Sequence, residues 1–164
     1  MLKKLLLLVV TGFFLASCAA TNTDKGGAVD SDTSSADSSS GGNITAGTQE
    51  DLIVNVGDRV FFEFDSSELT VDAQATLDAQ AAWLMQYPDT NITIEGHADE
   101  RGTREYNLAL GDKRAFAVYS YLAQAGIDTN RMDYVSWGKE RPDVIGSDET
   151  AWSQNRRGVT LVSN

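Results

Sequence analysis

Charged and amide side chains are concentrated between Glu95 and Ala115, in the run EGHADERGTREYNLALGDKRA. Asp99 accepts hydrogen bonds and favours an ammonium group, whereas the planar guanidinium of Arg114 matches a carboxylate through two parallel hydrogen bonds. Asn107 and Arg114 are separated by two helical turns, which places them on one face of a predicted helix. This pattern predicts a site for a ligand that carries both an ammonium and a carboxylate.

Arg101 lies in the turn between the predicted strand and the predicted helix, from which it can reach a second carboxylate. The spacing alone leaves open a plainer interpretation, in which Asp99 and Arg114 form a surface salt bridge. Such a bridge stabilises a protein by only about 0–1 kcal/mol. The residue types of the whole run, rather than this pair, must therefore decide between the two.

A metal site and a hydrolytic site are the other chemistries that this run allows. Glu95, His97 and Asp99 share one strand face, but three neighbouring ligands on one strand seldom converge on a single ion. We therefore expect a solvated or hydrogen-bonded histidine, with no metal and no cofactor. Glycoside hydrolysis needs two carboxylates at a defined separation in a cleft, and Glu95, Asp99 and Glu100 are the candidates.

Hydrophobic periodicity predicts the elements that hold these residues in place. Val60, Phe62 and Phe64 alternate with Phe61, Glu63 and Asp65, which indicates a strand with one apolar face. Thr70 can cap a following helix, which Pro88 ends. The apolar stripe of this helix consists of Leu77, Ala81 and Leu84.

A second strand, from Ile92 to Ala98, leads into a helix that Thr103 can cap and that Gly126 ends. The predicted core stripe of this helix consists of Leu108, Ala115, Val118 and Leu122. Two further strands, around Val135 and Trp137 and around Val159 and Leu161, are separated by a long polar loop. This order predicts an α/β (α+β) two-layer sandwich, with the helices on one face of a mixed four-stranded sheet.

The N-terminus has the pattern of an export signal. A short basic start precedes an apolar run, Leu5 to Leu15, that is too short to span a bilayer comfortably. The following Leu-Ala-Ser-Cys resembles the bacterial lipobox, in which the cysteine, here Cys18, is acylated and becomes the mature N-terminus. Ala19, which stands where an aspartate would signal retention in the inner membrane, favours the outer membrane.

Composition predicts three segments: a signal peptide at 1–17, a polar linker from Cys18 to residue 50, and a folded domain at 51–164. The linker is rich in Ser, Thr, Asp and Gly and is expected to be disordered, because it lacks apolar surface to bury. The formal charge of −11 excludes a nucleic-acid-binding surface. A single cysteine permits no disulfide within the chain.

Several motifs in register resemble one family. The motifs are FEFDSSEL, the run from Glu95 to Ala115, VSWGKERP and NRRGV. They are similar to the OmpA-like peptidoglycan-binding domain. As a set they resemble its peptidoglycan-associated lipoprotein branch, which is part of the Tol–Pal system. The resemblance implies non-covalent binding to the meso-diaminopimelate residue of peptidoglycan, without catalysis. It also implies a second partner, the periplasmic TolB-like β-propeller protein. A lipid-anchored peptidoglycan hydrolase and a pure protein-interaction module are the competing functions.

The resemblance also assigns site residues. Asp99 and Arg114 match the acidic and basic ligand contacts of the family, and Arg101 matches a further contact. The remaining matches are Phe64 and Asp65, in the loop after the first strand, and Asn107 and Leu110, which shape the pocket from the helix. Gly111 departs from the pattern, because many such domains have serine there.

Overall fold

The computed structural model of the chain describes residues 44–163, and the predicted signal peptide and Cys18 lie outside them. No helix within 44–163 is both long and apolar enough to cross a bilayer. The elements, in chain order, are α1 (Gln49–Asn55), β1 (Arg59–Phe61), α2 (Val71–Gln86), β2 (Ile92–His97), α3 (Arg104–Gln124), a 3-10 turn (Thr129–Arg131), β3 (Met132–Gly138), α4 (Glu149–Asn155) and β4 (Arg157–Val162).

The four strands form one mixed sheet in the order β1-β4-β2-β3. β4 pairs antiparallel with both β1 and β2, whereas β2 and β3 are parallel. Ile92 and Ile94 of β2 are buried against the helices, together with Leu77 of α2 and Val118 of α3. The predicted fold class, helices packed on a mixed four-stranded sheet, is confirmed.

The helix boundaries follow the predicted caps. The side chain of Thr70 accepts a hydrogen bond from the Ala73 N–H at the start of α2, and Thr103 accepts one from Tyr106 at the start of α3. Gly126 follows α3 with a φ of +101°, the left-handed conformation that ends helices. Both predicted helices therefore begin and end close to the positions that their capping residues indicate.

Two predicted apolar faces are wrong in part. Leu108 is 45% exposed, because the first turns of α3 bury Asn107 and Gly111 instead. Phe64 is 60% exposed and does not continue the face of Val60 and Phe62. The strand ends at Phe61 because the chain then turns away, which leaves Phe64 on the surface beside a residue with positive φ.

Two short helices were not expected from the sequence. α4 lies in the segment predicted to be a long polar loop. α1 begins at Gln49 and buries Leu52 completely. The predicted boundary between linker and domain, at residues 50 and 51, therefore falls inside α1, and the division of the chain into three segments stays a prediction.

Two glycines bring α3 unusually close to β2. A Cβ built on Gly96 would overlap the backbone carbonyl of Gly111, and a Cβ on Gly111 would crowd the Ser136 hydroxyl and the Gly96 carbonyl. Only residues without side chains permit this approach. It sets the first turns of α3 directly against the end of β2, where the predicted site residues lie.

Candidate functional site

One pocket, of about 180 Å³, lies where β2 ends and α3 begins. Ala98, Gly102 and Tyr106 line it, together with all seven residues predicted from the sequence, which are Phe64, Asp65, Asp99, Arg101, Asn107, Leu110 and Arg114. The structure thus brings the predicted residues together, and their contact with a ligand stays a prediction.

The turn between β2 and α3 is held by its own hydrogen bonds. Gly102 has a φ of +85°, which a residue with a side chain adopts only with strain. Asn107 donates from its side-chain Nδ2 to the Arg101 carbonyl over 2.7 Å, so the first turn of α3 fixes the turn that precedes it. Asn107 therefore shapes the pocket wall by holding the backbone of Arg101 in place.

Arg114 is completely buried and donates to three backbone carbonyls. Its Nε–H reaches Ser66, Nη1 reaches His97, and Nη2 reaches Glu63, over 2.8, 2.8 and 3.1 Å. Burial lowers the pKa of Arg114 to about 10, partly offset by the nearby charge of Asp99, so the guanidinium stays protonated at neutral pH. Three of its five N–H groups donate to these carbonyls, and the other two are uncommitted.

Asp99 is bound by Arg101 rather than by Arg114. Arg101 donates from Nε to Oδ1 over 3.1 Å and from Nη2 to Oδ2 over 2.6 Å, and Arg156 Nη1 lies 3.5 Å from Oδ2. Burial raises the pKa of Asp99, but the hydrogen bonds from Arg101 outweigh it and hold the pKa below its usual range. The surface salt bridge between Asp99 and Arg114 that the spacing left open is therefore not formed.

Arg101 itself is held by aromatic rings. Its Cζ lies 4.2 Å from the ring centroid of Phe64 and 4.0 Å from that of Trp152. Its Nη1 is 3.9 Å from a carboxylate oxygen of Glu149 on α4. The side chain is about one-third exposed, so part of its guanidinium faces the solvent at the pocket.

Asp65 and Tyr106 close the opposite side of the pocket. The hydroxyl of Tyr106 donates to Asp65 Oδ1, and this hydrogen bond raises the pKa of Tyr106. Asp65 adopts a φ of +56°, which is uncommon for a residue with a side chain and recurs at binding sites. Sequence reasoning missed Tyr106, although its spacing of four from Leu110 and eight from Arg114 places all three on one helix face.

Arg156, in the NRRGV motif, supports the site from behind. It is 5% exposed, donates from Nε to the Phe62 carbonyl over 3.0 Å and from Nη2 to Glu149 over 2.5 Å. Its third contact is the carboxylate of Asp99. Arg156 thus links the residues that follow β1, α4 and the candidate site.

The expectation that His97 is solvated or hydrogen-bonded is wrong. The residue is 1% exposed, and neither ring nitrogen makes a hydrogen bond. Nε2 lies 3.3 Å from Oε2 of Glu95, and Trp137 Nε1 donates to Oε1 of the same carboxylate. Within residues 44–163, no three His, Cys, Asp or Glu side chains are grouped to hold a metal ion.

Comparison with known proteins agrees with this architecture. Residues 61–156 match the family model described as OmpA family. The chain belongs to the OmpA family. The peptidoglycan-associated lipoprotein of Rhizobium meliloti is 59% identical over 121 residues, which is 74% of this chain and 69% of the relative. That of Haemophilus influenzae is 49% identical over 61% of this chain and 65% of its own length.

Solved structures show the same fold. The peptidoglycan-associated lipoprotein from Burkholderia pseudomallei superposes with a TM-score of 0.63 at 45% identity, over 65% of this chain and 90% of that one. The C-terminal domain of Helicobacter pylori MotB has a TM-score of 0.60 at 22% identity, over 65% and 84% of the two chains, and shares the fold. The resemblance inferred from the sequence motifs is thereby confirmed.

The family match also covers the whole candidate site. Every residue that lines the pocket, together with Trp152 and Arg156 behind it, lies between residues 61 and 156. In this OmpA-family domain, two arginines and two carboxylates therefore face one small pocket. Such an arrangement can bind a compact group that carries both charges.

Proposed function

We propose that the chain is a lipoprotein of the outer membrane whose OmpA-family domain faces the periplasm and binds peptidoglycan non-covalently. The relatives named peptidoglycan-associated lipoproteins support the attachment to peptidoglycan. The lipobox at Cys18 supports the membrane anchor. On this proposal, acyl chains hold one end of the molecule and the pocket holds the other, so the protein couples the outer membrane to the cell wall.

The ligand that we propose is the side chain of meso-diaminopimelate, which ends in a carbon bearing an amine and a carboxylate. The observation that carries this proposal is the pairing of buried Arg114, with two uncommitted N–H groups, and buried Asp99 in one pocket. Arg114 would bind the carboxylate in a fork, while Asp99 and Asp65 would favour the ammonium. In a desolvated site, truncating one partner of such a charge pair costs about 2–5 kcal/mol of binding free energy.

The proposal extends to a second partner, which the family resemblance alone supplies. A TolB-like β-propeller protein of the Tol system would compete with peptidoglycan for the same surface of the domain. Such competition would move the protein between a free pool and a wall-bound pool during cell division.

Hydrolysis of peptidoglycan is less compatible with this pocket. A glycosidase needs a carboxylic acid whose pKa is raised, so that it can donate a proton to the leaving group. The arginine contacts instead keep the pKa of Asp99 below its ordinary range. The carboxylate is thus suited to binding a cation.

The proposed site is tested with Asp99→Asn, which removes the charge and preserves the shape of the side chain. We expect sedimentation of the purified full chain with peptidoglycan sacculi to weaken at least about 30-fold. Asp112→Asn makes the same change at an exposed position of α3 outside the pocket and should bind like wild type. Arg114→Ala is unsuitable, because it also removes the three hydrogen bonds that hold the pocket backbone.

Sacculi that carry lysine instead of diaminopimelate measure the contribution of the ligand carboxylate to binding. Lysine keeps the amine and lacks the terminal carboxylate, so wild-type binding to these sacculi should be much weaker. Equal binding to both kinds of sacculi, or retention by folded Asp99→Asn, contradicts the site. Release of soluble fragments from either kind would identify a hydrolase.

A further inference from the structure

We infer that Trp152, on α4, is a positioning residue for ligand binding. With Phe64 it forms an aromatic clamp that holds the guanidinium of Arg101 ready for the carboxylate of the ligand. The inference rests on the proposed function of the pocket. It adds Trp152, which is outside the predicted set of site residues, and it assigns Arg101 to carboxylate selectivity.

Both rings of the aromatic clamp contact one guanidinium. Arg101 Cζ is 4.2 Å from the Phe64 centroid and 4.0 Å from the Trp152 centroid. Both distances lie well within the 6 Å range of cation–π attraction. Arg101 is therefore in contact with one residue of the β1–α2 loop and with one residue of α4.

The edge of Arg101 is fixed as well as its faces. Asp99 accepts from Nε and Nη2, which uses one side of the planar group. Nη1 remains directed away from Asp99, with Glu149 at 3.9 Å as its nearest carboxylate. The free N–H groups are therefore held in one orientation at the pocket, as a preformed receptor for a second carboxylate contact.

Trp152 is itself anchored, so that it can act as a support. Its indole Nε1 donates to Glu100 over 3.0 Å, which ties α4 to the end of the β2 segment. α4 is capped by Asp148, whose side chain accepts from the Ala151 N–H. Arg156 at the end of α4 reaches the same Asp99 that holds Arg101. α4 thus contributes to the pocket without lining it.

Preorganisation predicts a selective effect on the ligand. Without the clamp, Arg101 must be ordered when the ligand binds, and this loss of side-chain freedom weakens affinity. Arg101 contacts only the carboxylate of the ligand. The affinity for a ligand that lacks this carboxylate should therefore decrease less. Removing one ring of the clamp should therefore weaken binding of a diaminopimelate peptide about tenfold, within the range of a single cation–π contact.

The test uses the purified full chain in detergent and soluble muropeptides that carry either diaminopimelate or lysine, with affinity measured by calorimetry. Trp152→Leu should weaken binding of the diaminopimelate peptide about tenfold and reduce its preference over the lysine peptide. Trp152→Phe keeps a ring over Arg101 and should restore both values. A purely structural role for Trp152 would not change the ratio between the two ligands.

Trp137→Leu is the matched control. Trp137 also lies over an arginine, Arg141, at 3.3 Å and donates to a glutamate, but it does not line the pocket. The Trp137→Leu substitution should leave the affinity for both peptides unchanged. If Trp152→Leu does not fold, Phe64→Leu removes the exposed half of the clamp and should give the same loss of selectivity.

The outcomes separate the inference from the proposed function. If wild type prefers the diaminopimelate peptide and folded Trp152→Leu or Phe64→Leu keeps that preference unchanged, the clamp is wrong and the pocket stands. If wild type shows no preference between the two peptides, the proposed ligand itself is wrong.

Discussion

The arginines around the pocket differ in their acceptors, and the acceptors indicate their roles. Arg114 donates to three backbone carbonyls and so holds the β1–α2 loop against β2. Arg156 donates to one carbonyl and to Glu149. Arg101 donates only to a side chain, Asp99, and to no carbonyl. Of these three arginines, Arg101 is therefore the one whose side chain holds no backbone carbonyl in place.

His97 makes the stability of the domain depend on pH. Burial, reinforced by the positive charge of Arg157 and partly offset by Glu95, lowers the pKa of His97 from 6.5 to about 4. The unfolded chain thus binds a proton more readily than the folded one. The contribution of His97 to the free energy of unfolding is therefore fully present above pH 6.5. It is lost as the pH falls towards 4, and the loss is at most about 3 kcal/mol.

We expect His97→Gln to remove this part of the pH dependence. Urea unfolding of wild type and variant at pH 7.5, 5.5 and 4.5 should show the free energy of unfolding falling more steeply with acid in wild type. The two proteins differ only at this side chain, so the difference between the two curves isolates the histidine. Parallel curves would contradict the assignment.

The residue types of the site could be predicted from the sequence, but their hydrogen-bond partners could not. Spacing placed Asp99 and Arg114 at one pocket, because a strand end and the helix that follows it leave few arrangements. It did not show that Arg114 binds carbonyls, since every residue carries a carbonyl and none leaves a sequence signal. Nor did it show the contact between Arg101 and Trp152, residues that are far apart in the chain and that only tertiary packing brings together.

α1 completes the sheet at a place where β1 is too short to do so. The backbone N–H and C=O groups of the even-numbered residues of β4 are directed towards β1. The Thr160 N–H, for example, donates to the Asp58 carbonyl, just before the start of β1. The next such position, Val162, donates instead to the side-chain Oε1 of Gln49 over 2.6 Å. Gln49 Nε2 donates in turn to the Thr160 carbonyl over 3.3 Å. One amide side chain thus replaces a missing strand residue.

Gln49→Ala should therefore loosen the end of β4. Loss of two hydrogen bonds to the backbone is expected to destabilise the domain by about 1–2 kcal/mol. Amide hydrogen exchange at Val162 should accelerate more than at Val159, whose strand neighbours are unchanged. Glu50→Ala, at the exposed neighbouring position, serves as the control and should leave both amides unchanged. Unaltered protection at Val162 would show that the strand end does not depend on Gln49.

The long elements could be predicted because their periodicity extends over several turns, whereas α1 and α4 could not. Each has seven residues, too few for an apolar stripe to stand out from composition. Their caps were the available signal. Thr48 followed by Asp51 fits the capping-box spacing, and Asp148 precedes α4 as its N-cap. Short helices that depend on tertiary contacts, such as the Trp83 indole bound to Asp51, leave little else to detect.

At the scale of the whole molecule, the two proposed attachments act in series, because a tether fails when either end is lost. The charge of −11 gives the chain no electrostatic hold on anionic lipid, so membrane attachment depends on the proposed acylation of Cys18. Two or more acyl chains give a durable anchor, whereas one binds only marginally. Phe64, the residue of the pocket nearest to Cys18 in sequence, is 46 positions away from it, so the pocket should bind independently.

Cys18→Ser should therefore separate the two attachments. We expect the variant to leave the membrane fraction while its affinity for sacculi stays at the wild-type value, whereas Asp99→Asn should stay with the membrane and leave the sacculi. Thr23→Ser, a polar change in the same segment that keeps the thiol, should behave like wild type in both assays.

Because the attachments act in series, each uncoupling variant should increase outer-membrane vesicle release to the same extent, and combining them should add nothing further. A Cys18→Ser protein that still fractionated with the membrane would show that the chain is held there by another contact, and an additive double variant would show that the two ends serve separate functions.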